Sequence, residues 1–497
     1  MHIVHIASEL APIAKAGGLG DVVHGLSREQ VRAGMRVEVI IPRYDVINYS
    51  KVQNLTLSCG DLWSQEDSFE YHNAVYSALV DNIETFLIEP HHNQYYFNRK
   101  TIYGTLNDIE RFVYFSRTAL EFLLQRESPP DIIHIHDWPT ALVAPMIKTI
   151  FADTPLAKSS VVFTIHNIEH QGKCHPRAIT RVGLRGLDFR TEDSMQDSQN
   201  PALLNLLKGG IVYADQITTV SPSYAKEIKT KEMSFGLHET VIKYSHKISG
   251  ILNGIELESW NPASDTSLFD NYPANPSYLD TVLENKLLNK QVVLKNLGLA
   301  PNQKPLVVCV SRIARQKGPH LIQAALHHTL EKGATFILLG STSDPELEKE
   351  FLHIKAHYKD HPNLYIGLTF NETLARQLYA AADAIVIPSL YEPCGLTQMI
   401  SMHYGTIPIA RSTGGLADTI YDFGDESKEK TKRTGFLFQS ATEKELIEAI
   451  DRAFTCYLET PHEWKSLVRS GLNQDLGWKS SSDHYQKLYK RAKEKTG

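Results

Sequence analysis

The 497-residue chain has little cysteine and no cysteine pattern. Cys59, Cys174, Cys309, Cys394 and Cys456 form an odd, scattered set without a C-x-x-C pair or zinc spacing. That excludes a disulfide scaffold and a zinc module, and it points to a reducing compartment. No apolar run approaches the roughly 18 residues that span a bilayer, and the opening MHIVHIASELAP lacks the basic leader and apolar core of a signal peptide. A cytoplasmic location with no membrane partner is the expectation. A dominant charge is missing too. The formal net charge is −6 from 51 Lys and Arg against 57 Asp and Glu, so no global basic field attracts nucleic acid. Neither a P-loop nor G-x-G-x-x-G occurs, which disfavours a dinucleotide-dependent oxidoreductase. Internal repeats and low-complexity tracts are absent as well.

What is present is enough chain for two or three domains, with 42% hydrophobic and 22% charged residues as in soluble globular proteins. Short β-branched runs recur: IVHIA from Ile3, VEVII from Val37, IIHIH from Ile132, VVFTI from Val161 and QITTV from Gln216. The series resumes with PLVVCV from Pro305, TFILL from Thr335 and AIVIP from Ala384. Continuous apolar runs of this length suit strands buried on both faces. Between them lie stretches with apolar positions three and four apart, such as DVVHGLSREQVRAG. Alternating strand and helix predicts an α/β fold with parallel sheets. A Pro-, Asn- and Ser-rich break after Ile255 divides the series into two Rossmann-like domains, 1–252 and 253–474. A ligand is then expected in a deep cleft between them, facing the carboxyl ends of the strands.

Four loops carry candidate chemistry. Lys15-Ala16-Gly17-Gly18-Leu19-Gly20-Asp21 follows the first strand and precedes a helix. Glycines there let backbone N–H groups approach an anion, and the lysine adds a charge; a plain connecting turn is the alternative. Ser311-Arg312-Ile313-Ala314-Arg315-Gln316-Lys317-Gly318 puts a basic cluster directly after VVCV, where open α/β sheets bind ligands and where guanidinium and ammonium suit phosphate. After AIVIP comes Pro388-Ser389-Leu390-Tyr391-Glu392-Pro393-Cys394-Gly395-Leu396-Thr397-Gln398. In it Glu392 can accept sugar hydroxyls or face a developing oxocarbenium ion, beside the first N–H groups of a helix opened by Gly395, Leu396 and Thr397. Cys394 suits a small buried hydrophobe better than a nucleophile. Arg411-Ser412-Thr413-Gly414-Gly415-Leu416-Ala417-Asp418 repeats the Gly-Gly-Leu theme. Finally, His134-Ile135-His136-Asp137-Trp138 and Thr164-Ile165-His166-Asn167 end two strands. No third ligand accompanies these histidines, so sugar contacts are favoured over a metal, and no metal is expected.

Together these segments resemble the bacterial glycogen synthase and plant starch synthase family of retaining glycosyltransferases. KAGGLGD, HIHDW, TIHN, NGIELESWNP, SRIARQKG, PSLYEPCGLTQ and STGGLADTI stand in the family's order from Met1 to about residue 425. The resemblance implies the GT-B architecture, with an N-terminal acceptor and catalytic domain and a C-terminal nucleotide-sugar domain. It also implies a last helix, about 475–497, that packs back on the first domain. By position, Lys15, Gly17 and Gly18 approach the donor diphosphate, while Arg312 and Lys317 stabilise the departing nucleotide. Asp137 and His166 surround the glucose, Asn167 is a further substrate-binding residue, Asn253 is the hinge asparagine of the same binding set, and Phe370 lies beside the nucleobase. Glu392 supports charge at the anomeric carbon, with Cys394, Gly395, Leu396 and Thr397 in the same binding loop.

The activity implied is transfer of glucose from ADP-glucose to the non-reducing end of glycogen or another α-1,4-glucan, without cofactor. One strong carboxylate and no evident second favour a front-face mechanism over a double displacement. The chain departs from the family pattern at Ala16, at Glu256, and at Phe370 in place of a tyrosine. Ile400 stands where related families carry a second Glu. UDP-glucose as donor, a glucan phosphorylase and an inactive glucan-binding protein remain the competing readings. A homo-oligomer stays open, and Tyr95, Tyr96 and Trp138 are candidates for a glucan surface.

Overall fold

A computed structural model describes residues 1–496. They form two compact units: Met1–Gly254 together with the stretch from Trp478, and Ile255–Gly477. The last residue of the helix expected over 475–497, Gly497, lies outside the described residues. Among the described residues no helix is long and apolar enough to cross a membrane, and all five cysteines are unpaired.

The first unit is built on β1 (His2–Ile6), β2 (Arg36–Pro42), β3 (Gln53–Glu66), β4 (Phe69–Val80), β5 (Ile83–Pro90), β6 (Ile132–His136) and β7 (Ser160–Ile165). β8 (Lys173–Cys174) and β9 (Leu204–Asn205) make a small separate pair, and β10 (Gln216–Thr219) and β11 (Ile248–Gly250) complete the main sheet. That sheet runs β11-β10-β7-β6-β1-β2-β5-β4-β3. Only the pairings of β4 are antiparallel. The apolar runs take the centre: β6 and β7 are buried throughout and β1 from Ile3 onward. Chain order reverses between β1 and β6, since β1 pairs with both β2 and β6. In an open α/β sheet that is where a crevice forms outside the carboxyl ends.

The helix Trp478–Thr496 belongs to this first unit. Trp478, Tyr485, Leu488, Tyr489 and Ala492 recur at helical spacing and bury against Ile3, Val22, Leu26, Ile132 and Ile251. Contact is closest at Gly25, where an added Cβ would lie 2.0 Å from Trp478 Nε1. Gly25→Ala is therefore expected to push the indole out of its seat. The expected loss is about 1–3 kcal/mol of stability, read as a lowered melting temperature and increased exposure of Trp478 in fluorescence quenching.

The second unit contains β12 (Leu306–Val310), β13 (Thr335–Leu339), β14 (Leu364–Gly367), β15 (Ala384–Ile387), β16 (Ile407–Arg411) and β17 (Phe436–Phe438). All are parallel in the order β14-β13-β12-β15-β16-β17. This is the doubly wound arrangement, with its switch point between β12 and β15. β13 and β15 are fully buried, as strands covered on both faces by helices must be.

Candidate active site

In the second unit the switch point brings two of the four loops together. Lys317, in the turn after β12, places Nζ 2.5 Å from Glu392 Oε2, in the loop after β15. The Ser389 hydroxyl donates to the same oxygen at 2.8 Å. Glu392 is 7% exposed, so its carboxylate is held in a largely dry setting where electrostatic interactions strengthen. Lys317, Glu392, Ser311, Gly395 and Thr397 line one small cavity there. Arg312 is exposed just beyond β12. Cys394 is buried, and Leu396 precedes the short helix Thr397–His403.

The second Gly-Gly motif has a mechanical purpose. Gly415 N–H donates to the Glu392 carbonyl at 3.1 Å. A Cβ on Gly414 would fall 1.9 Å from that carbonyl oxygen, and one on Gly415 2.1 Å from the Cys394 carbonyl oxygen. The turn after β16 thus presses against the Glu392 loop at a distance only glycine allows.

In the first unit the candidate side chains again gather at carboxyl strand ends. Asp137 follows β6 with φ of 53°, in the left-handed region that aspartate tolerates. From there its Oδ1 accepts the N–H of His166 at 2.7 Å and of Asn167 at 3.3 Å, at the end of neighbouring β7. Burial pushes the Asp137 carboxyl up to about 7, opposed by those two donors. Burial also pulls the His166 imidazole down to about 3, so the ring is neutral near pH 7. Asn253 is 5% exposed and its Oδ1 has no partner among the described residues.

The first loop holds a carboxylate that the motifs did not reveal. Glu9 Oε2 accepts the N–H groups of Ala16 at 2.7 Å and Gly17 at 2.9 Å, and Tyr103 donates its hydroxyl to Oε1 at 2.8 Å. The Gly17 N–H, expected near the donor diphosphate, is bonded to Glu9 here. Gly18 opens the helix Gly18–Arg32, where first-turn N–H groups lack intrahelical acceptors. Lys15 Nζ is paired with Asp21 at 2.7 Å on the surface. The available signal for Glu9 was an acid immediately after a buried strand, in Ser8-Glu9-Leu10.

Other expectations separate. Phe370 is 77% exposed beyond β14. Of the aromatic candidates, Tyr95 is exposed whereas Tyr96 is core, its hydroxyl given to Glu66. Trp138 is half-buried, edge-on to Phe112. The third histidine absent from the sequence pattern is His5, which joins His134 and His136 in one cluster.

Residues 2–243 match the family described as starch synthase catalytic domain, and residues 294–470 match glycosyl transferases group 1. The chain is 45% identical to a glycogen synthase of Protochlamydia amoebophila, across 98% of this chain and 99% of that protein. It is 40% identical to a probable glycogen synthase 2 of Nostoc sp., across the full length of both. Among solved structures, the catalytic domain of starch synthase IV from Arabidopsis thaliana, bound to ADP and acarbose, superposes with a TM-score of 0.94 at 42% identity and 99% coverage of each chain. Full-length identity at this level, on the same doubly wound folds, means that the chain belongs to the bacterial glycogen synthase and plant starch synthase family of glycosyltransferases.

Proposed function

We propose that this protein is a glycogen synthase that transfers glucose from ADP-glucose to the non-reducing end of an α-1,4-glucan with retention of configuration. The observation that carries the reading is the Lys317–Glu392 pair at the switch point of the second unit, in a chain of this family. The second unit takes the nucleotide sugar. Arg312 and Lys317 hold the diphosphate, and Phe370 lies beside the base. When the donor binds, Lys317 exchanges its carboxylate partner for phosphate oxygens. Glu392 is then released to accept glucose hydroxyls and to face positive charge at the anomeric carbon. Fixed charges of this kind act where charge develops in the transition state.

The bond from the anomeric carbon to the phosphate oxygen breaks as the bond to the acceptor 4-oxygen forms on the same face. The 4-hydroxyl proton goes to the leaving phosphate. In the first unit, Asp137, His166, Asn167 and Asn253 surround the glucose, and the unpartnered Asn253 Oδ1 supports that role. Lys15 and the Gly17-Gly18 backbone serve the diphosphate, and the reaction so written uses no metal or cofactor. A cytoplasmic setting agrees with five unpaired cysteines.

The test is incorporation of labelled glucose into glycogen from ADP-glucose and UDP-glucose in parallel. Incorporation from ADP-glucose, abolished in Glu392→Ala, is expected. Incorporation from UDP-glucose alone overturns the donor, and isolation of a glucosylated protein side chain overturns the front-face step.

A further inference from the structure

We infer that Gln30 sets the direction of a buried chain of histidines so that His166 offers an unprotonated Nδ1, a pure hydrogen-bond acceptor, to its ligand. The inference rests on the reading of His166 as a glucose-contacting residue and deepens it. An acceptor nitrogen takes a sugar hydroxyl and is unsuited to a phosphate oxygen.

The chain lies wholly within the first unit. His166 Nε2 is 3.1 Å from His136 Nδ1, and His136 Nε2 is 3.0 Å from His5 Nδ1. His5 Nε2 is 2.9 Å from Gln30 Oε1, and Gln30 Nε2 donates to the Tyr489 hydroxyl at 2.9 Å. The network continues from Tyr489 to His134 Nδ1 at 2.8 Å and from His134 Nε2 to Thr164 Oγ1 at 2.6 Å. His5, His134, His136, Gln30 and Thr164 are fully buried.

A nitrogen-to-nitrogen hydrogen bond holds one proton, and a neutral imidazole has one donor and one acceptor. Burial keeps the rings neutral: His5 is pulled down to about 4, and His136 well below the ordinary histidine range, with neighbouring histidines adding to the effect. The direction then follows from one end. Gln30 Oε1 only accepts, so His5 carries its proton on Nε2 and presents a bare Nδ1. His136 must donate from Nε2 and accept at Nδ1. His166 must donate from Nε2, which leaves its Nδ1 with a lone pair. Turning the Gln30 amide over would reverse every bond and put a proton on that nitrogen. With Oε1 turned to His5, the Gln30 amide nitrogen donates to the Tyr489 hydroxyl, on the helix Trp478–Thr496. His5, His134 and His136 also bring nitrogens within 4.8 Å of one another, but each of their ring nitrogens is already engaged. The cluster is a relay, and its members are positioning residues.

Nitrogen-15 spectra of the histidine rings in the ligand-free protein test this, with His166 assigned by its loss in His166→Gln. The expected spectrum has a pyrrole-type Nε2 and a pyridine-type Nδ1 for His166; a protonated Nδ1 overturns the inference. Gln30→Met removes the acceptor for His5 and is expected to move the His166 proton to Nδ1, lowering kcat/KM for transfer by about ten- to a hundredfold. Gln30→Glu, which only accepts at this position, is expected to keep the original tautomer. An unchanged His166 in Gln30→Met overturns the role of Gln30; should that variant not fold, the parent and Gln30→Glu spectra still decide. The tautomer is read without substrate, so a wrong donor assignment leaves it standing while removing only the kinetic arm.

Discussion

Replacing Lys317 by alanine is expected to lower kcat for glucosyl transfer by about 10²–10³-fold, the loss that follows removal of one preorganised group facing developing charge. In the resting structure the Lys317 ammonium neutralises Glu392, with Ser389 as the carboxylate's other donor. During transfer its proposed partner is the departing diphosphate, whose charge grows as the glycosidic bond breaks. The loss therefore falls mainly on kcat and less on KM for the donor, because the interaction strengthens in the transition state. Lys317→Arg keeps the charge but changes its shape and hydration, and is expected to recover part of the rate. Steady-state kinetics on folded variants provide the check. A kcat for Lys317→Ala close to that of the parent enzyme removes Lys317 from the chemistry.

The second large effect concerns stability and lies away from the reaction. Lys286, on the helix Leu279–Asn296, is 6% exposed. Its Nζ, with three N–H groups to share, lies within hydrogen-bonding distance of four acceptors: the carbonyls of Ala380 at 2.9 Å, Tyr404 at 3.1 Å and Tyr379 at 3.3 Å, and Thr406 Oγ1 at 2.8 Å. One ammonium thus satisfies carbonyls from two segments that the helix must hold together. Lys286→Met fills similar space but removes this donor, leaving the Tyr404 carbonyl with the Tyr272 hydroxyl and the Tyr379 carbonyl with the Thr406 hydroxyl, and is expected to destabilise the second unit by about 1–3 kcal/mol. Burial pulls the Lys286 ammonium down to about 7, whereas in the unfolded chain it titrates near ~10.4. Between those values the unfolded chain binds the extra proton, so this site's contribution to stability rises with pH through the window. The stability difference between parent and Lys286→Met should accordingly widen from pH 7 to pH 9 in denaturant titrations. A difference that narrows over that range contradicts this account.

Much of the fold is legible because its centre is apolar and continuous. The runs from Ile3, Ile132, Val161, Leu306, Thr335 and Ala384 are strands, buried on both faces as parallel sheets require. The hairpin of β3 and β4 went unread for the converse reason. β3 stands at the sheet edge with most of its residues exposed, so it needs no apolar run, and its irregular register blurs any alternation. The Lys286 helix reads simply as charged, since nothing in LENKLLNKQVVLKN distinguishes the one lysine that turns inward to four acceptors.

The site divides in the same way. Residues tied to a strand end by a short loop, such as Lys317, Glu392, Asp137 and His166, can be found from position along the chain. Those tied by tertiary structure cannot: Gln30 meets His5 across 25 residues and Tyr489 across 459. Glu9 falls between these cases. It sits directly after β1, but its task of fixing the Ala16 and Gly17 amides appears only when the loop has folded over it.

The central claim is retaining α-1,4 glucosyl transfer from ADP-glucose at the Lys317–Glu392 centre. The most direct measurement is proton NMR of a maltooligosaccharide incubated with ADP-glucose and the protein. The expected result is growth of the internal α-1,4 anomeric signal, with no β-glucosidic signal beyond the constant one from the acceptor's reducing end, and no growth in Glu392→Ala. A newly formed β-glucosidic linkage, or extension that survives in Glu392→Ala, would contradict it.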